Sequence, residues 1–193
     1  MSNLDKAIIY ACDKHKGMFR KGDNQPYIYH PLEVLGIASL ITNDDDVLCA
    51  CVLHDVIEDT GATKEEIASL ANERVAKLVA NESENKRGNV NKESTWKTRK
   101  QETIDTIINS DDIGTKIVCL SDKLANLRSF NRLVLTKGDD AWNRFNMKDP
   151  KMHYWYFEEL RKAFEKDLGD TGIYKEYCFM IDALFSRYFK EEK

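Results

Sequence analysis

The sequence predicts an all-α protein, one helical bundle in a single domain over residues 1–193, and three observations carry that expectation. Apolar residues recur at helical spacing along most of the chain, and no stretch shows the period-2 alternation of a half-buried strand. The composition fits a helix-rich globular chain, with 32% charged and 42% hydrophobic residues and only three Pro and nine Gly. Capping signals punctuate the chain: Ser2 with Asp5, Asn43 before Asp44 to Asp46, Thr63 with Glu66, Asp111-Asp112, and Asp149-Pro150. A chain of 193 residues holds one good core and is short for two.

The first helix opens at Ser2 and shows Ala7, Ile8, Ala11 and Cys12 on one face before ending near Gly17. Met18 to Tyr29 reads as a loop, broken by Gly22, Asn24 and Pro26, and it carries Arg20-Lys21. Pro31 suits the first position of a helix from Leu32 to Ile41, which sets His30 at the N-cap. Histidine caps poorly, so that ring is either used elsewhere or is an ordinary surface residue.

The next stretch, Val47 to Gly61, is apolar on all sides for seven residues and then carries His54, Asp55, Glu58 and Asp59. It reads as one buried helix, in which His54 stacks with Glu58 and Asp55 with Asp59 at the i, i+4 spacing. Buried ionisable groups without partners are costly. A divalent cation held by His54 and Asp55 would offset that cost. The plain alternative is a satisfied His-Asp core pair and a solvated helix end before Gly61.

After Gly61 the capping box at Thr63 starts a helix that buries Ile67, Leu70, Ala71, Leu78 and Val79. Asn81 to Lys92 is almost wholly polar and reads as an exposed loop. Ser94 to Lys100 is basic and leads into a helix through Ile104, Ile107 and Ile108; the bland reading is a solvated face, with Trp96 as the exception. The helix after Asp112 has an apolar stripe at Ile113, Ile117, Leu120, Leu124 and Leu127, and Asp122 lies in line with its neighbours Val118 and Ala125. Thr136 to Met147 reads as a loop. Asp149-Pro150 caps a helix with Trp155, Tyr156, Leu160, Ala163 and Phe164, and a last helix runs from Ile173 to Phe189.

Charge and cysteine usage narrow the function. A net charge of −4 and a pI near 5.7 disfavour non-specific nucleic-acid binding, so a phosphate partner needs a local basic cluster. No apolar run approaches the roughly 20 residues of a membrane span. The first residues lack a basic and then apolar leader pattern, so no signal peptide is expected and the cytoplasm is the expected location. Five cysteines (12, 49, 51, 119 and 178) are odd in number and mostly in apolar runs, which suggests reduced core thiols. The Cys49 and Cys51 side chains point apart on a helix, which weakens a zinc reading. Nothing in the sequence fixes an oligomeric state.

His30, His54-Asp55 and Asp122 come from three predicted helices and together form an H…HD…D pattern, which resembles the HD superfamily of metal-dependent phosphohydrolases. The local wording is more specific. Pro26-Tyr27-Ile28-Tyr29-His30-Pro31, His54-Asp55-Val56-Ile57-Glu58-Asp59-Thr60 and Leu120-Ser121-Asp122-Lys123-Leu124-Ala125-Asn126-Leu127-Arg128 resemble the hydrolase domain of the RelA/SpoT stringent-response enzymes. The chain is similar to their stand-alone small alarmone hydrolases, with motif matches from about residue 7 to residue 157.

That resemblance implies an HD-domain bundle whose His30, His54, Asp55 and Asp122 hold one divalent ion, usually Mn²⁺. It implies a small-molecule nucleotide substrate, guanosine bis-diphosphate, cut at its 3′-diphosphate to release pyrophosphate. Arg20 would then stack on the base and Lys21 meet phosphate, while Asn126 and Tyr156 line the pocket. Glu58 and Asp59 are placed to orient or deprotonate water. Lys97, Arg99 or Lys100, with Lys21, would neutralise the pyrophosphate. Asn81 to Lys92 departs from the bifunctional enzymes' wording, which leaves open a phosphatase acting on NADPH or a 5′-nucleotide. A non-catalytic, antitoxin-like partner is the alternative of another class, and the intact Glu58-Asp59 pair argues against it.

Overall fold

The computed structural model describes residues 1–21, 24–84, 91 and 93–188. Its described residues are α-helical with short 3-10 turns, and their one β feature is an isolated bridge between Phe19 and Pro26. The helices are α1 (Asn3–Lys14), α2 (Tyr29–Ala38), α3 (Asp45–Leu53), α4 (Val56–Thr60) and α5 (Lys64–Leu70). They continue as α6 (Glu73–Glu82), α7 (Trp96–Asn109), α8 (Ile113–Lys137), α9 (Pro150–Leu168) and α10 (Gly172–Phe185).

The 25-residue α8 is the axis of the bundle. It packs against α2, α3, α6 and α10, and its Ile117, Leu120, Leu124 and Leu127 are buried. Ile113, at the start of the same stripe, is 45% exposed, although the next two residues, Gly114 and Thr115, are buried. The all-round apolar α3 is buried as its composition predicts, with Cys49, Ala50, Cys51, Val52 and Leu53 fully covered. Arg74 of α6 ties helix starts together by pairing with Asp44 and Asp112, the residues whose side chains cap α3 and α8.

Local capping chemistry sets many boundaries. The boxes at Ser2 and Thr63 form with both reciprocal hydrogen bonds, and Asp149 caps α9 with Pro150 in its first turn. Gly61 ends α4 at φ 74°, a left-handed conformation that favours glycine.

Several boundaries differ from the sequence reading. The stretch read as one helix from Val47 to Gly61 divides at His54-Asp55. There His54 Nδ1–H donates to the Cys51 carbonyl at 2.8 Å, the acceptor that an unbroken helix gives to the Asp55 amide. The helix after Thr63 likewise divides, because Ala71 leaves helical geometry (φ −127°, ψ −81°) and Asn72 caps a new start. Asn81 and Glu82 belong to α6 rather than to a loop, and Glu82 is buried. Residues 85–90 and 92 of the segment read as an exposed loop lie outside the described residues.

Thr136 and Lys137 extend α8, and a 3-10 turn over Gly138–Arg144 replaces most of the expected loop. Its Trp142 is buried and anchors it, with indole N–H donating to Tyr188. The last helix ends at Phe185, and the expected terminus at Phe189 lies outside the described residues. His30 is not an N-cap. The helix begins at Tyr29, two residues before Pro31, with Ile28 at the N-cap, so His30 sits in its first turn with 5% exposure.

Candidate metal centre and active site

Three helix segments bring the ionisable residues to one point. The first turn of α2 carries His30, the break between α3 and α4 carries His54 and Asp55, and the middle of α8 carries Asp122. His30 Nε2 lies 3.0 Å from Asp122 Oδ1 and 3.5 Å from Asp55 Oδ2. His54 Nε2 lies 3.0 Å from Asp55 Oδ2 and 3.5 Å from Asp122 Oδ1. The two Nε2 atoms are 3.2 Å apart.

A carbonyl only accepts, so the bond to Cys51 puts the His54 proton on Nδ1 and aims the Nε2 lone pair at the cluster. His30 Nε2 faces that lone pair at 3.2 Å, so the two nitrogens can share a proton or a cation. Burial disfavours charge on His54, but Asp55 and Asp122 outweigh it and raise its pKa well above the ordinary value. Burial likewise works against the carboxylates, yet His54 beside Asp55 and Lys123 beside Asp122 hold both below the usual range. Two imidazole nitrogens and two carboxylates facing one point form a donor set that suits a divalent ion. His30, His54 and Asp122 each offer one ligand atom within 4.8 Å of the others, a group able to hold a metal ion.

The surrounding side chains orient this set. Tyr27 places its hydroxyl 2.6 Å from Asp55 Oδ2. Asn126 donates to Asp122 Oδ1 at 2.6 Å and accepts from Arg20 at 2.8 Å, so the Arg20 fork is engaged rather than free. Lys123 pairs with the other Asp122 oxygen and with buried Glu82. Burial pushes the Glu82 carboxyl up, which the neighbouring Lys123 ammonium opposes.

Glu58 is half-buried and accepts the Glu84 backbone N–H at 3.2 Å. Asp59 is exposed, with Oδ2 2.8 Å from the Tyr27 hydroxyl. A cavity of about 260 Å³ gathers Glu58, Lys21, Arg99, Lys100 and Arg144. Glu84 already pairs with Arg99 and Lys100 there. An adjoining aromatic cavity of about 230 Å³ is lined by Arg20, Lys100, Lys123, Asn126 and Tyr156, with Trp96, Trp142 and Phe145 among its walls. Tyr156 is 3% exposed and its hydroxyl has no hydrogen-bond partner. Lys97 is exposed, stands over the Trp155 ring at 5.4 Å and lines neither cavity.

Sequence reasoning singled out neither Tyr27, Glu82, Glu84 nor Arg144. A signal existed for Glu82, which continues the apolar face of Leu78 and Val79 at helical spacing. The buried Cys49, Cys51 and Cys119 offer no rival nucleophile, since burial pushes the Cys49 thiol up to about 11 and raises Cys51 and Cys119 as well.

An all-α bundle with a buried His/Asp set for one divalent cation defines the class. The chain belongs to the HD-domain family, which matches residues 7–145. It is 32% identical over 163 residues to the guanosine-3′,5′-bis(diphosphate) 3′-pyrophosphohydrolase of Mus musculus, covering 81% of this chain and 80% of that one. It is also 35% identical over 127 residues to GTP pyrophosphokinase rsh of Brucella ovis, covering 65% of this chain but only 16% of that protein's length. Among solved structures, a metazoan ortholog of SpoT that hydrolyzes ppGpp superposes with a TM-score of 0.71 at 24% identity, over 98% of this chain and 97% of that one. A Listeria monocytogenes EGD-e protein gives 0.70 at 28% identity, over 81% and 99%. Among the described residues no helix is long and apolar enough to cross a membrane.

Proposed function

We propose that this chain, as one hydrolase domain over residues 1–193, is a manganese-dependent guanosine-3′,5′-bis(diphosphate) 3′-pyrophosphohydrolase of the cytoplasm. The observation that carries the reading is the convergence of His30, His54, Asp55 and Asp122, with four His–Asp separations of 3.0–3.5 Å. The murine pyrophosphohydrolase, alike over four-fifths of both chains, supports the substrate class.

His30, His54, Asp55 and Asp122 would hold the ion, and a set of two nitrogens and two oxygens with space for further oxygen ligands suits Mn²⁺. When bound, it supplies Lewis-acid stabilisation of a phosphoryl oxygen. Water attacks the phosphorus bonded to the 3′ oxygen, and the bond to that oxygen breaks. Glu58 or Asp59 takes the water proton and returns it to the leaving 3′ oxygen, so the products are pyrophosphate and GDP or GTP. Lys21, Arg99, Lys100 and Arg144 line one cavity and so can share the pyrophosphate charge, with Glu84 giving way at Arg99 and Lys100. Lys97, over Trp155, is left as an outer cation of this group. Asn126 and Tyr156 bound the adjoining cavity, where the unpartnered Tyr156 hydroxyl is available to a substrate oxygen.

The direct test is whether purified protein with Mn²⁺ releases pyrophosphate from the bis-diphosphate, compared side by side with NADPH and simple 5′-nucleotides. Preferential turnover of NADPH would overturn the substrate assignment while keeping the metal centre.

Arg20 lines both the aromatic cavity and a second cavity beside His30, a position from which its planar face can meet a purine. Arg20→Ala is expected to raise KM for the bis-diphosphate by about 5- to 150-fold, the worth of a lost stack, and to lower kcat less. An unchanged KM would reassign recognition to the phosphates alone.

A further inference from the structure

Tyr27 stands between two carboxylates to which the proposed reaction gives different work. Its hydroxyl is 2.6 Å from Asp55 Oδ2 and 2.8 Å from Asp59 Oδ2. That Asp55 oxygen is the one lying 3.0 Å from His54 Nε2 and 3.5 Å from His30 Nε2. One phenol therefore touches the proposed metal ligands on one side and the candidate general base on the other. A phenol has a single proton, so it donates to one carboxylate at a time.

The ring itself is held from several sides. His15 stacks on it with centroids 4.8 Å apart and planes 25° from parallel. His30 meets it edge-on at 6.1 Å, and the Arg20 guanidinium carbon lies 5.5 Å from its centroid. His15 is 2% exposed, and neither of its ring nitrogens has a hydrogen-bond partner. An imidazole buried without partners gains nothing from its nitrogens, so what it contributes here is its ring face against Tyr27.

We propose that Tyr27 is a positioning residue that fixes Asp59 relative to the His/Asp cluster, and that His15 is the shelf that keeps Tyr27 in place. The proposal rests on the reading of Glu58 and Asp59 given above. With Asp55 Oδ2 committed to a cation, the phenol proton turns to Asp59 and pins Oδ2, which orients the carboxylate relative to the cluster. Asp59 is solvent-exposed, and the Tyr27 hydroxyl at 2.8 Å restricts the rotamer of its carboxylate.

Three variants of the full chain test this: Tyr27→Phe, His15→Ala and His15→Phe. Tyr27→Phe is expected to lower kcat for the bis-diphosphate about 10- to 100-fold, the usual cost of a lost orienting partner. KM and the Mn²⁺ dissociation constant, from titration calorimetry, should each stay within about 3-fold. A crystal structure of the Mn²⁺-loaded variant should show Asp59 turned away from the rotamer it has in the Mn²⁺-loaded wild type. His15→Ala should lower kcat in the same direction, and His15→Phe, which keeps the stack, should recover most of that loss.

Native kcat in Tyr27→Phe would overturn the proposal, as would an unmoved Asp59. A Mn²⁺ affinity loss beyond 10-fold, with turnover restored at saturating metal, would make Tyr27 a support of the metal site only and overturn it too. Equal losses in His15→Phe and His15→Ala would show that the imidazole nitrogens act, which overturns the shelf. A wild-type protein inert toward the bis-diphosphate would instead bring down the underlying reading, and the two failures are thereby separated.

Discussion

Asp59→Asn is expected to lower turnover by at least about 10²- to 10⁴-fold while leaving metal and substrate affinity near native, and Glu58→Gln should behave alike. Both substitutions keep shape and keep an acceptor oxygen. The asparagine carbonyl can still receive the Tyr27 hydroxyl now 2.8 Å from Asp59 Oδ2, and the glutamine carbonyl can still receive the Glu84 amide now 3.2 Å from Glu58 Oε2. What is removed is the capacity to take a proton from water. Neither carboxylate is among the ligand atoms that converge around His30 and His54, so Mn²⁺ titration should be unchanged. Steady-state kcat and KM with the metal titration check this. Metal loss would make the residue a ligand, and near-native turnover would remove it from proton transfer. A large loss in only one of the two would name the base and leave the other as an orienting group.

What the sequence could and could not reveal follows from how far apart the partners lie. Ser2 with Asp5 and Thr63 with Glu66 form capping boxes three residues long, so their helix starts are legible from local chemistry alone. The all-round apolar wording of Val47 to Leu53 specifies burial in the same local way. The breaks at His54-Asp55 and Ala71-Asn72 carry no Pro or Gly to announce them. The first is made by a histidine that spends its Nδ1 proton on a backbone carbonyl because its other nitrogen is needed at the cluster.

Glu82 was only half legible. It continues the apolar face of Leu78 and Val79 but sits in a polar run that reads as loop, and the partner that offsets its burial, Lys123, is 41 residues away. Tyr27 was visible as part of a motif, but its role depends on Asp55 and Asp59 at separations of 28 and 32 residues. Glu84 shows the opposite error, since a local reading of the basic run after Ser94 gives Arg99 and Lys100 to a substrate although a carboxylate 15 and 16 residues back already holds them.

Asp122→Ala is expected to cost stability twice, once by breaking a buried ion pair and once by removing the metal. The Asp122 side chain is 7% exposed and serves His30, Lys123 and Asn126 together. Without it the Lys123 ammonium keeps only Glu82, and truncating one partner of a buried pair typically costs about 3–5 kcal/mol. That part should appear as a lowered denaturant midpoint in metal-free buffer.

The second part is linkage. Mn²⁺ at 100 times its dissociation constant should stabilise the wild type by about 2.7 kcal/mol and the variant not at all. The two parts separate because the first is present without metal and the second scales with the logarithm of metal concentration. A variant whose midpoint still climbs with Mn²⁺ as steeply as the wild type would show that Asp122 is not a ligand, and would leave His30, His54 and Asp55 to hold the ion alone.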